Sequence, residues 1–426
     1  MQEINNYPKF TADMKKTHTI LIPSMLEFHM ALFEAVLKLE GYKVEIMKNE
    51  GPSVVEEGLK YVHNDTCYPA LLVIGQFIDN LNHRKDLDKV VLLITQTGGG
   101  CRASNYIHLL RKALVKAGYG FIPVVSLNAS NLEKDSGFSL NLSLLKKIVT
   151  AMTYGDTIMY LYNKTRSYEV NKGESKKLAT SIIEDLKQQF ASNKGVSFFQ
   201  MKKNIRNIAK SFDNIKLDLS HAKPKVGIVG EIYVKYAPLG NNHLEEFLVS
   251  QGAEVMVPGL YGFILYCLYN SIYDYKFYKG SKLKMDVSKL IISYLRRREK
   301  VMIESIAKTK FTPMQYFSHT KDLSDGVLSH GTKMGEGWLL TAEMMELIET
   351  NYENIVCTQP FGCLPNHICG KGVMKKIKSI HPNSNIVAID YDPSATRVNQ
   401  ENRIKLMLSI ARERIKEDEK AKLNRL

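Results

Sequence analysis

The sequence predicts an α/β fold with two parallel sheets and a helical region between them, and three observations predict it. The apolar run Thr19 to Pro23 is followed by a segment of helical period and then by the short apolar run Val44 to Met47, which is a β-α-β order. A second unit of the same kind opens at Lys225-Val-Gly-Ile-Val-Gly230. Between about 137 and 222 strand alternation gives way to helices and loops. Together they imply two Rossmann-like domains, 1–136 and 223–426, joined by a helical bridge at 137–222.

Each element has a local reason. Leu26 to Glu40 places Phe28, Leu32, Val36 and Leu39 on one helical face and stops at Gly41. Pro69 suits the first turn of a helix running to about Leu81, so Cys67 stands just before a helix N-terminus. Val90 to Thr95 is a strongly apolar strand, and Gly98-Gly-Gly-Cys101 leads from it into a helix with Ile107, Leu110, Leu114 and Ala117 buried. Gly98, Gly100 and Ala103 match a dinucleotide fingerprint only formally, because Phe121 to Leu127 ends in Asn128 where a ribose-binding acid belongs. Such glycines still let backbone amides approach an anion, and Gly99, Gly100 and Arg102 are the cofactor-binding candidates of this turn.

In the second unit, Asn242 to Ser250 reads as a helix and Glu254 to Val257 as a strand, with Gly230, Glu231, Gly240, Asn241 and Asn242 at the ligand edge. Cys267 lies in an aromatic-rich run, Tyr261 to Tyr278, and is expected in the core. Arg296-Arg-Arg298 is expected on a solvated helix face. Leu339 to Glu349 is a helix, Asn354 to Cys357 a strand, Ile368 to Ile380 a helix and Asn385 to Ile389 a strand. A final helix buries Ile404, Leu408, Ala411 and Ile415.

Half of the six cysteines fall in Cys357-Thr-Gln-Pro-Phe-Gly-Cys363-Leu-Pro-Asn-His-Ile-Cys369-Gly-Lys-Gly372. Cys67, Cys101, Cys357 and Cys363 are each expected at a helix start, where the amides' partial positive charge favours thiolate. Loops from neighbouring parallel strands share one sheet edge. Two domains facing each other would therefore unite these four thiols around a [4Fe-4S] cluster. Zinc competes, although the chain has no Cys-x-x-Cys pair. A nucleophilic cysteine competes as well, with His367 near Cys363 its only tempting partner; a fold without any metal is the third alternative. His63 and His367 are expected to hydrogen-bond rather than ligate.

Composition narrows the partners less. A net charge of +14 suits several anionic partners, a CoA ester among them, and does not choose between them. Neither a nucleic acid nor a membrane is the expected partner. Residues 1–17 lack the apolar core of a signal peptide, and Met256 to Tyr269 is too short and too broken by Pro258, Gly259 and Gly262 to span a bilayer. A cytoplasmic location is expected. No Gly-x-x-x-x-Gly-Lys-Ser/Thr loop occurs, so any ATP hydrolysis belongs to another chain.

Four stretches carry a resemblance: His63-Asn-Asp-Thr-Cys-Tyr-Pro-Ala70, Gln96-Thr-Gly-Gly-Gly-Cys-Arg-Ala-Ser-Asn-Tyr106, Gln359-Pro-Phe-Gly-Cys-Leu-Pro-Asn-His367 and Asn402-Arg-Ile-Lys-Leu-Met407. With them the chain resembles, from about Pro8 to Met407, the activase-related branch of the 2-hydroxyacyl-CoA dehydratase family, which also forms the C-terminal part of large activator proteins. The resemblance implies an oxygen-sensitive [4Fe-4S] or double-cubane protein of an anaerobe. It also implies one low-potential electron supplied by an ATP-hydrolysing activator, itself a cluster-bridged homodimer. Carried over by motif, Cys67, Cys101 and Cys363 are ligands and Cys357 the fourth.

The expected function is low-potential electron transfer or reductive activation. The alternatives are a dehydratase subunit acting on an acyl-CoA thioester and a non-catalytic scaffold. Arg166-Ser-Tyr-Glu169 and Asp392-Pro-Ser-Ala395 depart from the Arg-Pro-Tyr-Glu and Asp-Pro-Gly-Ala of the pattern.

Overall fold

The computed structural model describes residues 7–63, 65–96, 100–127, 138 and 141–423. The first sheet contains β1 (Thr19–Ile22), β2 (Lys43–Ile46), β3 (Val90–Thr95) and β4 (Val124–Leu127) in the order β2-β1-β3-β4. The second contains β5 (Lys225–Gly230), β6 (Glu254–Met256), β7 (Asn354–Pro360) and β8 (Asn385–Tyr391) in the order β6-β5-β7-β8. Every pairing is parallel. The fold is thus α/β with two parallel sheets of like strand order. In each sheet the strand order reverses between the central strands, β1 and β3 in one and β5 and β7 in the other. Crevices open at the carboxyl ends of such strands.

The strands read as apolar runs because helices cover both sheet faces. β3 is buried from Val90 to Ile94, and β5 from Val226 to Gly230. Gly230 in β5 has φ +144°, and a Cβ there would come within 2.0 Å of Thr358 Oγ1 on the paired strand, so no side chain fits.

The helices Leu142–Arg166, Glu174–Ala191 and Phe198–Asp213 lie between the sheets in sequence. Asn141 and Ser197 cap the first and third by accepting from Leu144 N and Gln200 N. One hydrophobic core spans both sheets and these helices, from Ile20 and Leu92 through Ile158 to Ile228 and Trp338. A buried link joins the bridge to both lobes: Asp156 accepts from Leu260 N and Tyr261 N at 2.9 and 2.8 Å and bonds His29 Nε2 at 2.7 Å.

Helix Tyr68–Asn82, which carries Cys67 at its start, crosses Pro52–Tyr61 at glycine contacts. A Cβ on Gly75 would lie 2.1 Å from Val54 O, and one on Gly58 would lie 2.5 Å from Leu71 O. Backbone atoms cannot swing aside as a side-chain tip can. Gly75→Ala is therefore expected to cost about 3 kcal/mol or more, at the upper end of overpacking penalties, read as a drop in the urea midpoint. An unchanged midpoint would contradict this close crossing.

The structure corrects several sequence expectations. β7 continues through Pro360, paired with β8 along its whole length, so Cys357 sits within a strand and not at a helix start. The helix expected over 368–380 is two pieces, Leu364–Cys369 and Met374–Ile380, broken where Gly370 abuts Asn366. The helix expected over 242–250 starts at Leu244, because Asn242 and His243 both adopt φ +57°. The run expected over 121–127 is strand only from Val124, following Pro123.

Cys267 is exposed on helix Leu260–Tyr278 and not in the core. Arg298 is buried, its guanidinium 3.7 Å from the Tyr294 ring centroid, and not on a solvated face. No helix among the described residues is long and apolar enough to cross a membrane.

Candidate functional site

Three of the four expected cysteines cap helices. Cys67 is the N-cap of Tyr68–Asn82, Cys101 that of the 3-10 turn Arg102–Asn105, and Cys363 that of Leu364–Cys369. Pro69 and Pro365 occupy first turns, where the missing amide hydrogen costs nothing. Cys101 follows β3 and Cys363 follows β7, the corresponding central strands of the two sheets.

The loops meet backbone to backbone. Tyr68 N donates to Phe361 O at 3.0 Å, across the two domains. Gly362 has φ +73°, and a Cβ on it would stand 3.1 Å from the Cα of Cys67. On the other side, Gly100 N donates to Met334 Sδ at 3.1 Å, while a Cβ on neighbouring Gly335 would lie 3.2 Å from Pro365. The segment Met334–Glu336 thereby closes a ring from the Cys101 loop to the Cys363 loop. Gly99, the middle glycine of the turn expected to bind the cofactor, lies outside the described residues.

Charge ties the three thiols into one group. Burial pushes the Cys67 thiol up, against the Tyr106 hydroxyl 3.5 Å away, the Ala70 amide and the Arg102 charge, all of which favour thiolate. Burial lifts Cys101 to about 11, opposed by the Ala103 amide and reinforced by Glu336, Cys67 and Glu231. Cys363 is raised by burial and then by Glu336, Glu231 and Cys101, against the Asn366 amide. Each thiol therefore faces an amide at its own helix start and shares its carboxylate neighbours with the others.

Those carboxylates belong to Glu231, at the end of β5, and Glu336, just before helix Gly337–Glu349. Glu231 accepts from Val234 N at 2.9 Å, and Glu336 accepts from Ile232 N at 2.9 Å. Burial and Glu336 push Glu231 up to about 8. Burial raises Glu336 too, offset by the Ile232 amide and by Lys235. Behind them Lys235 is almost wholly buried and bonds Glu343 at 3.0 Å. The sequence reading placed Glu231 at a ligand edge without a role, and it passed over Glu336, Tyr106 and Met334. The signals were Glu231 directly after a parallel strand and Glu336 between two glycines.

Cys357 and Cys369 pack in a separate core cluster, although Glu336 also raises the Cys369 thiol. Cys357 is fully buried beside Val229, Met344 and Cys369 in that cluster, its thiol donating to Asn366 Oδ1 at 3.8 Å. Burial and then Asp390 lift it to about 12, against Lys371. It shares no charge partner with the other three. Asn366 also donates to Thr358 O at 2.7 Å, which fixes the Cys363 loop on β7.

The donor set decides what this pocket can do. A nucleophilic cysteine needs its thiolate favoured at neutral pH, yet all three thiols are pushed the other way. All are free of disulfides. A bound cation reverses the balance, because metal coordination deprotonates thiols that burial alone keeps neutral. Among the described residues no three His, Cys, Asp or Glu side chains stand close enough for a single metal ion. A cubane presents separate irons to separate thiolates, so its ligands need not crowd as those of one ion must.

The residues fit an iron–sulfur cluster held by three thiolates.

No family model matches this chain, and a search of curated proteins finds no significant relative.

Proposed function

We propose that the cleft holds a [4Fe-4S] cluster on Cys67, Cys101 and Cys363, and that the protein works in low-potential electron transfer or reductive activation. The convergence of three free, charge-coupled thiols from both domains carries this reading. The resemblance to the activase-related branch of the 2-hydroxyacyl-CoA dehydratase family supports it. The cluster, when bound, supplies one-electron chemistry at low potential.

The chain's own residues do the rest. The Ala70, Ala103 and Asn366 amides favour the thiolate form of the three ligands. The Tyr68–Phe361 hydrogen bond holds the lobes together over Cys67 and Cys363, both of which are buried from water. Exclusion of water tunes a cluster's potential and protects it. Around Cys363, Phe361, Leu364 and Ile368 are exposed. This apolar rim suits a docking partner that delivers electrons, and the ATP-hydrolysing activator implied by the resemblance is the proposed donor.

One observation favours the second reading, a dehydratase subunit acting on an acyl-CoA thioester. Three cysteines converge where four were expected, and Glu231 stands beside them with its carboxyl pushed toward the neutral form by burial and by Glu336. A protonated carboxyl can donate a hydrogen bond to a substrate carbonyl or pass a proton to a leaving hydroxyl.

Anaerobic purification, with iron–sulfide reconstitution and metal analysis, tests the cluster. The expected result is a brown protein with iron and sulfide in equal amounts and an EPR signal after reduction through an ATP-driven activator. Colourless protein that takes up no iron on reconstitution would leave only the scaffold. Release of water from a 2-hydroxyacyl-CoA in the same mixture would select the dehydratase.

A further inference from the structure

Away from the thiol cleft, a cavity of about 250 Å³ lies between the bridge helix Leu142–Arg166, the helix pair Leu260–Tyr278 and Lys282–Ile306, and helix Gly337–Glu349. That volume is just under the roughly 300–1,000 Å³ usual for ligand pockets, so a small molecule fits and a cofactor does not. Its wall is part apolar, with Met159, Met302 and Met314, and part acidic, with Glu299, Glu343 and Glu346.

The acids are not equally engaged. Glu343 gives both oxygens to Lys235. Glu299 accepts from Phe317 N through Oε1 at 2.6 Å, but its Oε2 is buried with no partner, and the residue is only 4% exposed. A carboxylate oxygen left bare in the interior is costly and points to something missing from its surroundings. Glu346 is raised to about 8 by burial, with Glu343 and Glu299 adding negative potential and Thr320 opposing. A cation placed between these acids would draw them into the charged form, because an opposite charge nearby favours the carboxylate.

We propose that the cavity binds a small aliphatic ammonium ion, its charged head on Glu299 and Glu346 and its alkyl chain along Met159, Met302 and Met314. An ammonium group suits this wall better than a metal does. Its separate N–H donors can reach acids that stand apart, and among the described residues no three ligating side chains surround one point. Methionines adapt to a flexible alkyl chain, and Phe317 and Tyr261 add aromatic rings to the same wall. Of the two lysines in the wall, Lys164 is engaged by Tyr352 at 2.7 Å and by Glu254, and Lys225 lies 5.8 Å from the Tyr352 ring centroid; Arg296, which does not line the cavity, supplies the positive charge that acts on Glu299.

The test uses the full chain, titrated calorimetrically with n-butylammonium chloride, with sodium chloride and n-butanol as controls. Saturable binding of butylammonium is expected, with neither control matching it. Glu299→Gln should weaken it about tenfold, the loss of one charge-assisted hydrogen bond, and Glu346→Gln should do the same where the first variant fails to fold. Butylammonium acting no differently from sodium chloride would overturn the proposal. So would n-butanol binding equally well, or full affinity in the folded variants. Iron content does not enter this readout, so it stands apart from the cluster reading.

Discussion

Cys363→Ala is expected to abolish iron retention, whereas Cys357→Ala is expected to leave it near the wild-type level. Cys363 caps the helix that follows β7 and shares Glu336, Glu231 and Cys101 as charge neighbours. Removing it takes away the second domain's thiol from the converging group, and two thiolates from the first domain cannot hold a cluster alone. Cys357 lies inside β7 with its thiol on Asn366 and packs in a different core cluster. Its replacement deletes a small buried group, and the cost appears in stability, about 1 kcal/mol. Cys67→Ala and Cys101→Ala should resemble Cys363→Ala. The measurement is iron and acid-labile sulfide per chain after anaerobic reconstitution, with circular dichroism to show that each variant folds. Loss of iron from Cys357→Ala together with retention by Cys363→Ala would reverse the ligand assignment.

Asp156→Ala should be the most destabilising single substitution away from the cleft. The Asp156 side chain is buried and holds three partners: His29 at 2.7 Å, Leu260 N at 2.9 Å and Tyr261 N at 2.8 Å. Alanine would leave two amides at a helix start and a buried imidazole without acceptors. His29 is already unpartnered at Nδ1 and lies against Gly155, where a Cβ would come within 2.5 Å of its ring. The expected loss is roughly 3–5 kcal/mol, the range for removing one partner of a buried charged network. Asp156→Asn keeps one acceptor oxygen and should lose less. Urea unfolding monitored by far-ultraviolet circular dichroism checks both. The same contact joins the first domain to the helix pair of the second, so Asp156→Ala should also loosen the cleft and lower iron retention. A loss below about 1 kcal/mol would show that water replaces these hydrogen bonds.

Much of the fold was legible because its causes are local. Val90 to Thr95 and Lys225 to Gly230 are strands with the bounds expected of them, since a buried parallel strand is an unbroken apolar run. Cys67 was placed at a helix start by Pro69, and the helix begins at Tyr68. Cys357 was misplaced because Thr358, Gln359 and Pro360 look like the beginning of a turn. Pairing with Thr358–Gly230 on one side and with Gln359–Asp390 on the other carries the strand through them. Cys267 was misread from its aromatic neighbours, of which Tyr261, Tyr266 and Tyr273 turn inward while it turns out. The positions of Glu231 after a strand and Glu336 between two glycines were visible in the sequence, but their burial was not, because a carboxylate's burial is a property of the elements around it and not of its own stretch.

By itself, the order of residues determined two parallel sheets and put Cys67, Cys101 and Cys363 at helix starts, through apolar runs, prolines and glycines acting over a few positions. Only the tertiary structure decided that the Cys67 and Cys363 loops lie against each other while Cys357 packs in a separate core cluster. The choice depends on a contact between segments nearly three hundred positions apart, Tyr68 N on Phe361 O, made possible where Gly362 lets one backbone lie against another. Alternation of side chains along a strand then turns Cys357 into the core, a direction that pairing with both neighbours sets.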